Sequence, residues 1–471
     1  MDGHGLRRDI RFVQYFNLAF GTIVGVGWII IMSTWLQEGG ALGASLAFLV
    51  AGVFMSAIGL CYAKLAIRYP VTGGSIAYAY NVFGGKTSFL VGWLMVLTYV
   101  AASAFGVVST SWVIEALLPG IKGPALYQVM GTTVHLGTMV VGLLLLLAIG
   151  YVNYRGASLA ARFQDALTYI FLLLGTVIVA GAIYNGRIDN LWPLFKSPDW
   201  PVSLAGFLSV LATTPFFLSG FDVVPQAMGE KHPSVTSRHV MVAVVGAIML
   251  AMIFYISVIL GTAMLLPRGQ FAGLELVVAE AFTLSLGSPV FGKIVLVCGL
   301  FGVLSSWNAL FFAGTRVLFA LGRAQFLPAA LARLSRHGTP SISILLVALT
   351  GVAVIFFGKG IILPLVKTHV TVISSVFFVM ALSVHVLQRR GQVVFASPMF
   401  GRLVSISAMI FAGALVTIAL NDAYRSRAGL VPLEWVTLSI WCVLGAVAWT
   451  LGGAWRHGLP EGRRAEILLH G

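Results

Sequence analysis

Apolar residues run along this chain in long blocks that short polar turns separate. Twelve blocks approach or exceed the roughly 20 residues that a helix needs to cross a bilayer. The alternation of apolar and polar positions expected of a membrane β-barrel is absent, so the pattern predicts an all-α polytopic membrane protein. The predicted spans are residues 12–37, 43–67, 88–117, 129–150, 160–184, 203–229, 238–266, 289–321, 341–357, 362–387, 400–420 and 433–453.

Two of these spans are interrupted by residues that break helices. The interruptions, in the first and sixth spans, are Gly21, Gly25, Gly27, Pro215, Gly220 and Pro225. Lipid offers no hydrogen-bond partner to freed backbone groups, so a break at membrane depth has to line a cavity or find partners in the protein. Breaks at matching places in two halves indicate inverted repeats with a substrate site near the midplane, as in many secondary transporters.

The breaks divide a single transmembrane domain, residues 1–471, into two repeats of five spans and two further helices. The predicted units are residues 12–184, 203–387 and 400–453. The longest connection on the outer side, near residues 266–289, has apolar residues at helical spacing over residues 274–286. That spacing predicts a surface helix across the outer mouth.

The composition excludes a soluble domain and argues against a nucleic-acid binder. Of the 471 residues, 59% are hydrophobic and 9% are charged, far from the values of soluble domains. The net charge of +14 comes from basic residues spread between spans. With a cytoplasmic amino terminus, 20 of the 29 Lys and Arg residues lie inside, beginning with Arg7, Arg8 and Arg11. This bias predicts a multi-pass protein of the cytoplasmic (inner or plasma) membrane with both termini in the cytoplasm.

The sequence shows no pattern of an enzyme or of a cofactor site. It lacks a complete G-x4-G-K-S/T phosphate loop, a G-x-S-x-G nucleophile elbow and transition-metal spacing of His, Cys and carboxylates. Cys61, Cys298 and Cys442 fall within spans and predict no disulfide framework. We therefore expect no enzymatic activity and no cofactor beyond a coupling ion, either H⁺ or Na⁺.

The glycine-rich run of residues 21–28 (GTIVGVGW) has two interpretations. Unwinding there would expose backbone N–H groups and the positive end of a half-helix, to which a carboxylate can bind. Alternatively, the glycines only permit close helix packing, as small residues spaced by four commonly do. The matching break in the sixth span favours a binding site.

Three segments resemble the amino acid–polyamine–organocation transporters, and among them the amino acid permeases with the leucine-transporter fold. Residues 25–27 (GVG) are similar to the unwound glycine motif of the family's first helix. Residues 60–75 (LCYAKLAIRYPVTGGS) resemble the segment at the end of its second helix, and residues 305–309 (SSWNA) resemble part of its eighth. The resemblance covers the first ten spans. It implies transport of an amino acid by alternating access, as a symporter or an exchanger.

The sixth span carries residues 216–222 (FFLSGFD), which are similar to the family's FxGFD break. By this resemblance Phe216 is an aromatic gate over the substrate; the alternative is ordinary core packing. The resemblance also implies that the first span binds the substrate carboxylate and the sixth its amine, with the third and eighth spans completing the pocket. The implied substrate-binding residues are Val24, Gly25, Val26, Gly27, Trp28, Ala102, Ser103, Phe216, Ser219, Gly220, Phe221 and Trp307.

Departures from the family pattern bear on coupling. The family often has a lysine in the fifth helix, and Phe171 stands at that position, so proton coupling through a lysine there is doubtful. Asp222, beside the sixth-span break, is the candidate proton carrier or partner of the substrate amine. Ser305 and Ser306 are candidate ligands of a sodium ion. Uncoupled exchange is an equally open possibility.

The sequence limits the identity of the substrate only in part. Val26 and Trp28 differ from the residues common in the family, which predicts a smaller or more apolar substrate. An amine, polyamine or ethanolamine permease is an alternative, in which Asp222 would dominate the site. A nutrient sensor that binds its ligand without moving it is another. The expected partners are a small-molecule substrate and the lipid bilayer, with no nucleic acid, and the oligomeric state stays open.

Overall fold

The computed structural model describes residues 10–271, 273–425 and 432–470. Within these residues eleven helices are long and apolar enough to cross a membrane, and the one sheet is a two-stranded hairpin. The prediction of an all-α polytopic membrane protein is confirmed. The ninth predicted span is a helix of 15 residues, Ser341–Ile355, shorter than the other eleven, so the count of twelve crossings stays a prediction. Arg7 and Arg8 of the predicted basic amino-terminal group lie outside the described residues.

The elements follow the predicted spans closely. In chain order they are α1 Phe12–Ile23, α2 Gly27–Ile30, α3 Met32–Arg68, α4 Gly74–Phe83, α5 Gly85–Leu117, β1 Ala125–Val129, β2 Thr132–His135, α6 Leu136–Arg155, α7 Ala157–Asn185, α8 Trp200–Leu218, α9 Val223–Gln226, α10 Ser237–Met241, α11 Ala247–Leu265, α12 Val277–Leu286, α13 Pro289–Arg323, α14 Ser341–Ile355, α15 Ile362–Arg389, α16 Pro398–Arg425, α17 Leu433–Leu451, α18 Gly453–His457 and α19 Glu461–His470. Short 3₁₀ turns lie at Pro119–Ile121, Ile188–Leu191, Met228–Glu230, Arg268–Gln270, Ala329–Ala332 and Gly358–Ile361, and a π-helical turn at Val242–Gly246 joins α10 to α11.

Both spans in which the sequence predicts a break are divided into half-helices. The first consists of α1, α2 and the start of α3, and the sixth of α8 and α9. The first and second predicted spans meet inside α3 at Gly40, whose φ of 70° interrupts the helix. A side chain there would lie within 2.8 Å of the backbone of Phe195, so glycine is needed both for the conformation and for the close approach.

Residues 125–135 form a β-hairpin where the sequence predicts the start of a helix. β1 pairs antiparallel with β2 across a two-residue turn, Met130 and Gly131, which have positive φ angles of 51° and 72°. Positive φ at both central residues is the geometry of a tight hairpin turn. The predicted span at 129–150 is therefore wrong at its start, because the apolar strand residues continue the apolar pattern of the helix that begins at Leu136.

The described ends of the chain lie together at one face of the bundle, called here the terminal face. Ile10 exchanges two backbone hydrogen bonds of 3.0 Å with Glu230 and His232, and Arg464 of α19 donates to the carbonyl of Ala324, just after α13. The hairpin lies at the other end of α5, a helix of 33 residues and about 50 Å. This end is called the hairpin face, and the predicted surface helix, α12, packs on α13 there.

Close helix crossings place the centre of the bundle beside the two breaks. α1 packs against α7, α11 and α13, and α5 packs against α13 and α15. A Cβ on Gly106 of α5 would lie 2.6 Å from the indole of Trp307 on α13, so the small residue lets these helices approach closely. The indole nitrogen of Trp307 also donates to Ser103 Oγ at 3.1 Å.

Candidate substrate site at the two helix breaks

The first break frees backbone donors in the middle of the bundle. α1 ends at Ile23 and α2 begins at Gly27. Among the described residues, the amide N–H groups of Gly25 and Val26 donate to no backbone or side-chain acceptor. The carbonyl of Gly25 is satisfied differently, because it accepts from the indole nitrogen of Trp28 at 3.1 Å. The break therefore presents donors suited to a carboxylate.

The second break frees backbone acceptors. α8 ends at Leu218, and Gly220 follows with a φ of 118°. Within the described part of the chain, the carbonyl groups of Phe217, Leu218 and Ser219 accept no hydrogen bond. Unpaired carbonyls at the end of a half-helix carry its negative partial charge, and they suit an ammonium group.

The two breaks touch each other. A Cβ placed on Gly220 would lie 2.7 Å from Cγ2 of Thr22 and 2.9 Å from the amide nitrogen of Ile23. A Cβ on Gly27 would collide with the ring of Phe217. Donors from the first break and acceptors from the second thus face one region, as the sequence predicts for a substrate site.

A small buried cavity lies at this junction, called here the central cavity. Its volume is about 30 Å³. At roughly 10–15 Å³ for each water position, it has room for about two waters and not for an amino acid. The structure is therefore a closed conformation at this site. The lining residues are Thr22, Ile23, Gly25, Val26, Gly27, Ala102, Phe105, Phe216, Phe217, Ser219, Ser306, Leu310 and His369.

The residues predicted for the site divide between the cavity and the layer behind it. Those that line the cavity are Gly25, Val26, Gly27, Ala102, Phe216, Ser219 and Ser306. Those that do not line it are Val24, Trp28, Ser103, Gly220, Phe221, Trp307, Ser305 and Asp222. The indole of Trp28 packs edge-on against Phe171 and Phe254, at 6.4 and 5.6 Å between ring centroids, so it does not narrow the cavity directly.

The sequence analysis missed His369, in the middle of α15. Its Nδ1 lies 3.1 Å from the carbonyl oxygen of Thr98, and its Nε2 lies 3.1 Å from the hydroxyl of Ser219. Because a carbonyl can only accept, Nδ1 carries a proton in this contact, and in a neutral ring Nε2 accepts from the hydroxyl of Ser219. An imidazole inside an apolar span is itself a signal of function that could have identified it.

A family model described as amino acid permease matches residues 10–453 of the chain. The chain belongs to the amino acid permease family. The resemblance on which the sequence analysis relies is thereby confirmed, and the permease is a multi-pass membrane transport protein.

Several relatives align with much of this permease. It is 25% identical over 455 residues to the methylthioribose transporter of Bacillus subtilis (strain 168), covering 95% of this chain and 93% of that one. It is 24% identical over 349 residues to the branched-chain amino acid permease BcaP of the same organism, covering 72% of each chain. It is 28% identical over 363 residues to the Asc-type amino acid transporter 1 of Homo sapiens, covering 74% of this chain and 66% of that one.

Phe216 lies in an aromatic cluster at the edge of the central cavity. Its ring centroid is 4.9 Å from Phe105, 5.0 Å from Phe217 and 4.8 Å from the imidazole of His369. Phe105 lies on α5 beyond Ala102, towards the hairpin face. The cluster therefore covers the cavity on the hairpin side, the position that a gate would take, and the gating role stays a prediction.

Asp222 is buried beside the cavity with both carboxylate oxygens engaged. Oδ2 accepts from the hydroxyl of Tyr99 at 2.6 Å, and Oδ1 accepts from the N–H of Gly220 at 2.9 Å. These contacts tie the second break to α5. In this conformation Asp222 positions the backbone of the permease and contacts no space open to substrate, so its predicted role in coupling or amine binding stays untested.

The two serines predicted to bind sodium point in different directions. Ser305 Oγ accepts from Gln164 Nε2 at 2.6 Å and lies 3.3 Å from Thr168 Oγ1. The same amide nitrogen lies 3.3 Å from the carbonyl of Asn17 on α1. Ser306 instead donates to the carbonyl of its own helix at Val303 and lines the cavity. Ser305 thus already accepts from an amide donor in this conformation, and the sodium site stays a prediction.

We expect the contact between Tyr99 and Asp222 to stabilise the fold. Replacing Tyr99→Phe or Asp222→Asn should each destabilise the permease by about 1–3 kcal/mol, because Phe cannot donate this hydrogen bond and Asn has one acceptor oxygen where Asp222 uses two. The double variant should lose less than the sum of the single losses, since both act on the same bond. Thermal unfolding of the detergent-purified protein measures this.

Tyr151→Phe is the matched control, because the hydroxyl of Tyr151 contacts only Arg155 at an exposed site. It should leave the melting temperature unchanged. A normal melting temperature in Asp222→Asn, together with lost substrate binding, would contradict the positioning role and favour direct contact with the substrate amine.

Proposed function

We propose that this permease moves a small neutral α-amino acid across the membrane by alternating access. The observation that carries the proposal is the meeting of the two helix breaks at one buried cavity, where free N–H groups and free carbonyls face the same space. An α-amino acid carries a carboxylate and an ammonium group one carbon apart. The free N–H groups of Gly25 and Val26 fit the first, and the free carbonyls of residues 217–219 fit the second.

The lining of the cavity supports a neutral, mainly apolar substrate side chain. None of the described lining residues carries a carboxylate, an ammonium or a guanidinium group. Apart from Ser219, Ser306, Thr22 and His369, the lining consists of backbone and apolar side chains. A charged substrate side chain would find no partner there, and its desolvation would be costly. The relative named a branched-chain amino acid permease agrees with this substrate class.

The closed state supports a transport cycle in which the site opens by helix motion. A cavity of about 30 Å³ has to widen before an amino acid can enter. The half-helix α2 begins at Gly27 and α9 follows Gly220, and each is only four residues long with few internal hydrogen bonds, so they can move relative to α1 and α8. The matched breaks also support two inverted repeats, residues 12–184 and 203–387, with α16 and α17 outside them.

We infer that the terminal face is cytoplasmic and the hairpin face lies outside the cell. Basic residues of the predicted inner groups gather near the terminal face, where Arg11 precedes α1 and Lys231 adjoins Ile10. Arg323 at the end of α13 belongs to the same face. This distribution follows the rule that short cytoplasmic loops are rich in Lys and Arg.

Uptake by purified protein in liposomes tests the proposed function. The panel contains neutral and charged amino acids, primary amines, ethanolamine and methylthioribose, with imposed proton and sodium gradients. Neutral amino acids should accumulate or exchange, because the site offers partners for both ends of a zwitterion. Uptake of amines alone would favour the amine permease. Uptake of methylthioribose alone would favour the activity named for the Bacillus subtilis relative, 93% of whose length aligns with this chain. Binding without counterflow would favour a sensor.

Phe216→Ala should weaken substrate binding if this ring closes the cavity. The ring would no longer pack on the bound substrate, and losing a contact of this kind costs about 0.5–1.5 kcal/mol, which corresponds to about a 2- to 10-fold increase in Kd. Its contacts with Phe105, Phe217 and His369 lie within the protein, so their loss lowers thermal stability. The substrate Kd and KM of the purified protein measure this. Phe378→Ala is the control, because Phe378 is 38% exposed on α15 and should leave both values unchanged. A lower melting temperature with unchanged Kd would show that Phe216 is only a packing residue.

Transport should not depend on sodium. Ser305 already accepts from the amide of Gln164 in this conformation, and the hydroxyl of Ser306 donates to its own helix. Uptake in sodium chloride should therefore equal uptake in choline chloride at the same pH. Ser305→Ala should lower thermal stability and leave this ratio at one. A sodium-driven accumulation that Ser305→Ala abolishes would establish the serine site instead.

A further inference from the structure

A second cavity lies under the hairpin, away from the helix breaks. Its volume is about 350 Å³, against about 30 Å³ for the central cavity. It is called here the hairpin cavity. Its lining residues are Val108, Ser111, Trp112, Glu115, Lys122, Gly131, Thr132, Thr133, Val134, His135, Thr138, Met139, Glu275, Ile355, Gly358 and Lys359.

The hairpin cavity is a partly open pocket bounded by fixed elements, and it is not a gap beneath a loose loop. Tyr127 of β1 donates to the carbonyl of Phe356 at 2.7 Å, and Thr132 Oγ1 accepts from the N–H of Gly360 at 3.2 Å. These two bonds fasten the hairpin to the turn between α14 and α15. The floor is the outer part of α5, and the start of α6 forms a wall. A space of 350 Å³ held in this way is within the usual range for small-molecule sites.

The charged lining consists of two acid and base pairs. Glu115 contacts Lys122 at 3.3 Å and accepts from the hydroxyl of Thr138 at 2.6 Å. Lys359 contacts Glu275 at 3.0 Å, and its ammonium lies 5.0 Å from the ring centroid of Trp112. Both pairs are part-exposed, so each contributes little on its own and a ligand can replace one partner at low cost.

One face of α5 connects this cavity to the central cavity. Ala102, Phe105, Val108, Trp112 and Glu115 follow one another at intervals of three or four residues, so they lie on the same side of the helix. The first two line the central cavity and the last three line the hairpin cavity. From the first to the last the distance along the helix is about 20 Å.

We propose that the hairpin cavity is a second binding site for the zwitterion of an α-amino acid, which it holds before the substrate reaches the central cavity. This inference rests on the proposed function. The ammonium group binds at Glu115 or Glu275, the carboxylate binds at Lys122 or Lys359, and the side chain lies against the indole of Trp112. A simple cation or anion would satisfy only half of these groups.

The test measures how many amino acid molecules each purified permease molecule binds at saturation. Equilibrium dialysis of the full chain in detergent, with tritiated L-alanine, L-valine and L-leucine in turn at saturating concentration, should give two equivalents in the wild type. Lys359→Gln and Trp112→Ala should each lower the value to one and raise the uptake KM several-fold, with kcat retained. Lys359 is part-exposed and Gln keeps an uncharged polar side chain at its position, so Lys359→Gln keeps the test valid if Trp112→Ala folds poorly.

Matched variants separate the two sites. Trp200→Ala removes an indole that is 67% exposed at the start of α8, and it should keep two equivalents and the wild-type KM. Phe216→Ala should weaken amino acid binding at the central cavity and leave one amino acid equivalent tightly bound at the hairpin cavity. A wild-type value of one, with uptake intact and KM unaffected by Lys359→Gln and Trp112→Ala, would overturn the second site and leave the transport function standing. No binding and no uptake would overturn both.

Discussion

This structure depends on one constraint: two broken helices free backbone groups at a depth of the membrane that water does not reach, and those groups need partners. Each unpaired peptide group costs several kcal/mol in an apolar medium, so a break persists only where something replaces the missing helix partner. The indole of Trp28 replaces it for the carbonyl of Gly25, and the carboxylate of Asp222 replaces it for the N–H of Gly220. Among the described residues, the unpaired groups of Gly25, Val26, Phe217 and Ser219 belong to residues that line the central cavity. Because other freed backbone groups have hydrogen-bond partners within the protein, the breaks persist and the unpaired groups are available to bind a substrate.

The same side chains join the breaks to the helices around them. Asp222 also accepts from Tyr99, so the second break is fixed to α5 as well as to itself. One residue earlier on α5, the carbonyl of Thr98 contacts His369 of α15, whose other nitrogen contacts Ser219 at the end of α8. Three helices thus meet within a few ångströms of the substrate space. A change at the break is therefore transmitted to α5 and α15, because Asp222 and Ser219 each contact a neighbouring helix.

Gly21 lies inside α1 and Pro215 inside α8, so not every Gly or Pro of a span interrupts a helix. Residue type and spacing were nevertheless enough to locate the breaks to within a few residues, because Gly and Pro are poor helix formers. They did not determine which way a side chain points. Trp28 lies one residue after a cavity-lining glycine, yet its indole packs against Phe171, and only the packing of α7 on α1 decides this. His369 belongs to the site because α15 lies beside α8, a neighbour relation that a single sequence does not contain. The hairpin was hidden because its strand residues extend the apolar run of α6.

The terminal face differs from the hairpin face, where the hairpin cavity is partly open. Below the breaks, Arg316 of α13 and Glu230 form an ion pair at 2.8 Å with both side chains 1% exposed, and the guanidinium lies 3.6 Å from the ring centroid of Phe312. The hydroxyl of Tyr15 on α1 donates to the carbonyl of Ala227 at 2.8 Å, beside the same pair. Separating a buried pair leaves two desolvated charges, so this side opens only if water or other partners reach both. On the hairpin side a substrate meets only part-exposed ion pairs and an aromatic cluster, which cost far less to move. The structure is therefore closed towards the terminal face, and in the proposed cycle the buried ion pair between Arg316 and Glu230 has to separate, or to be solvated, before the site opens to that face.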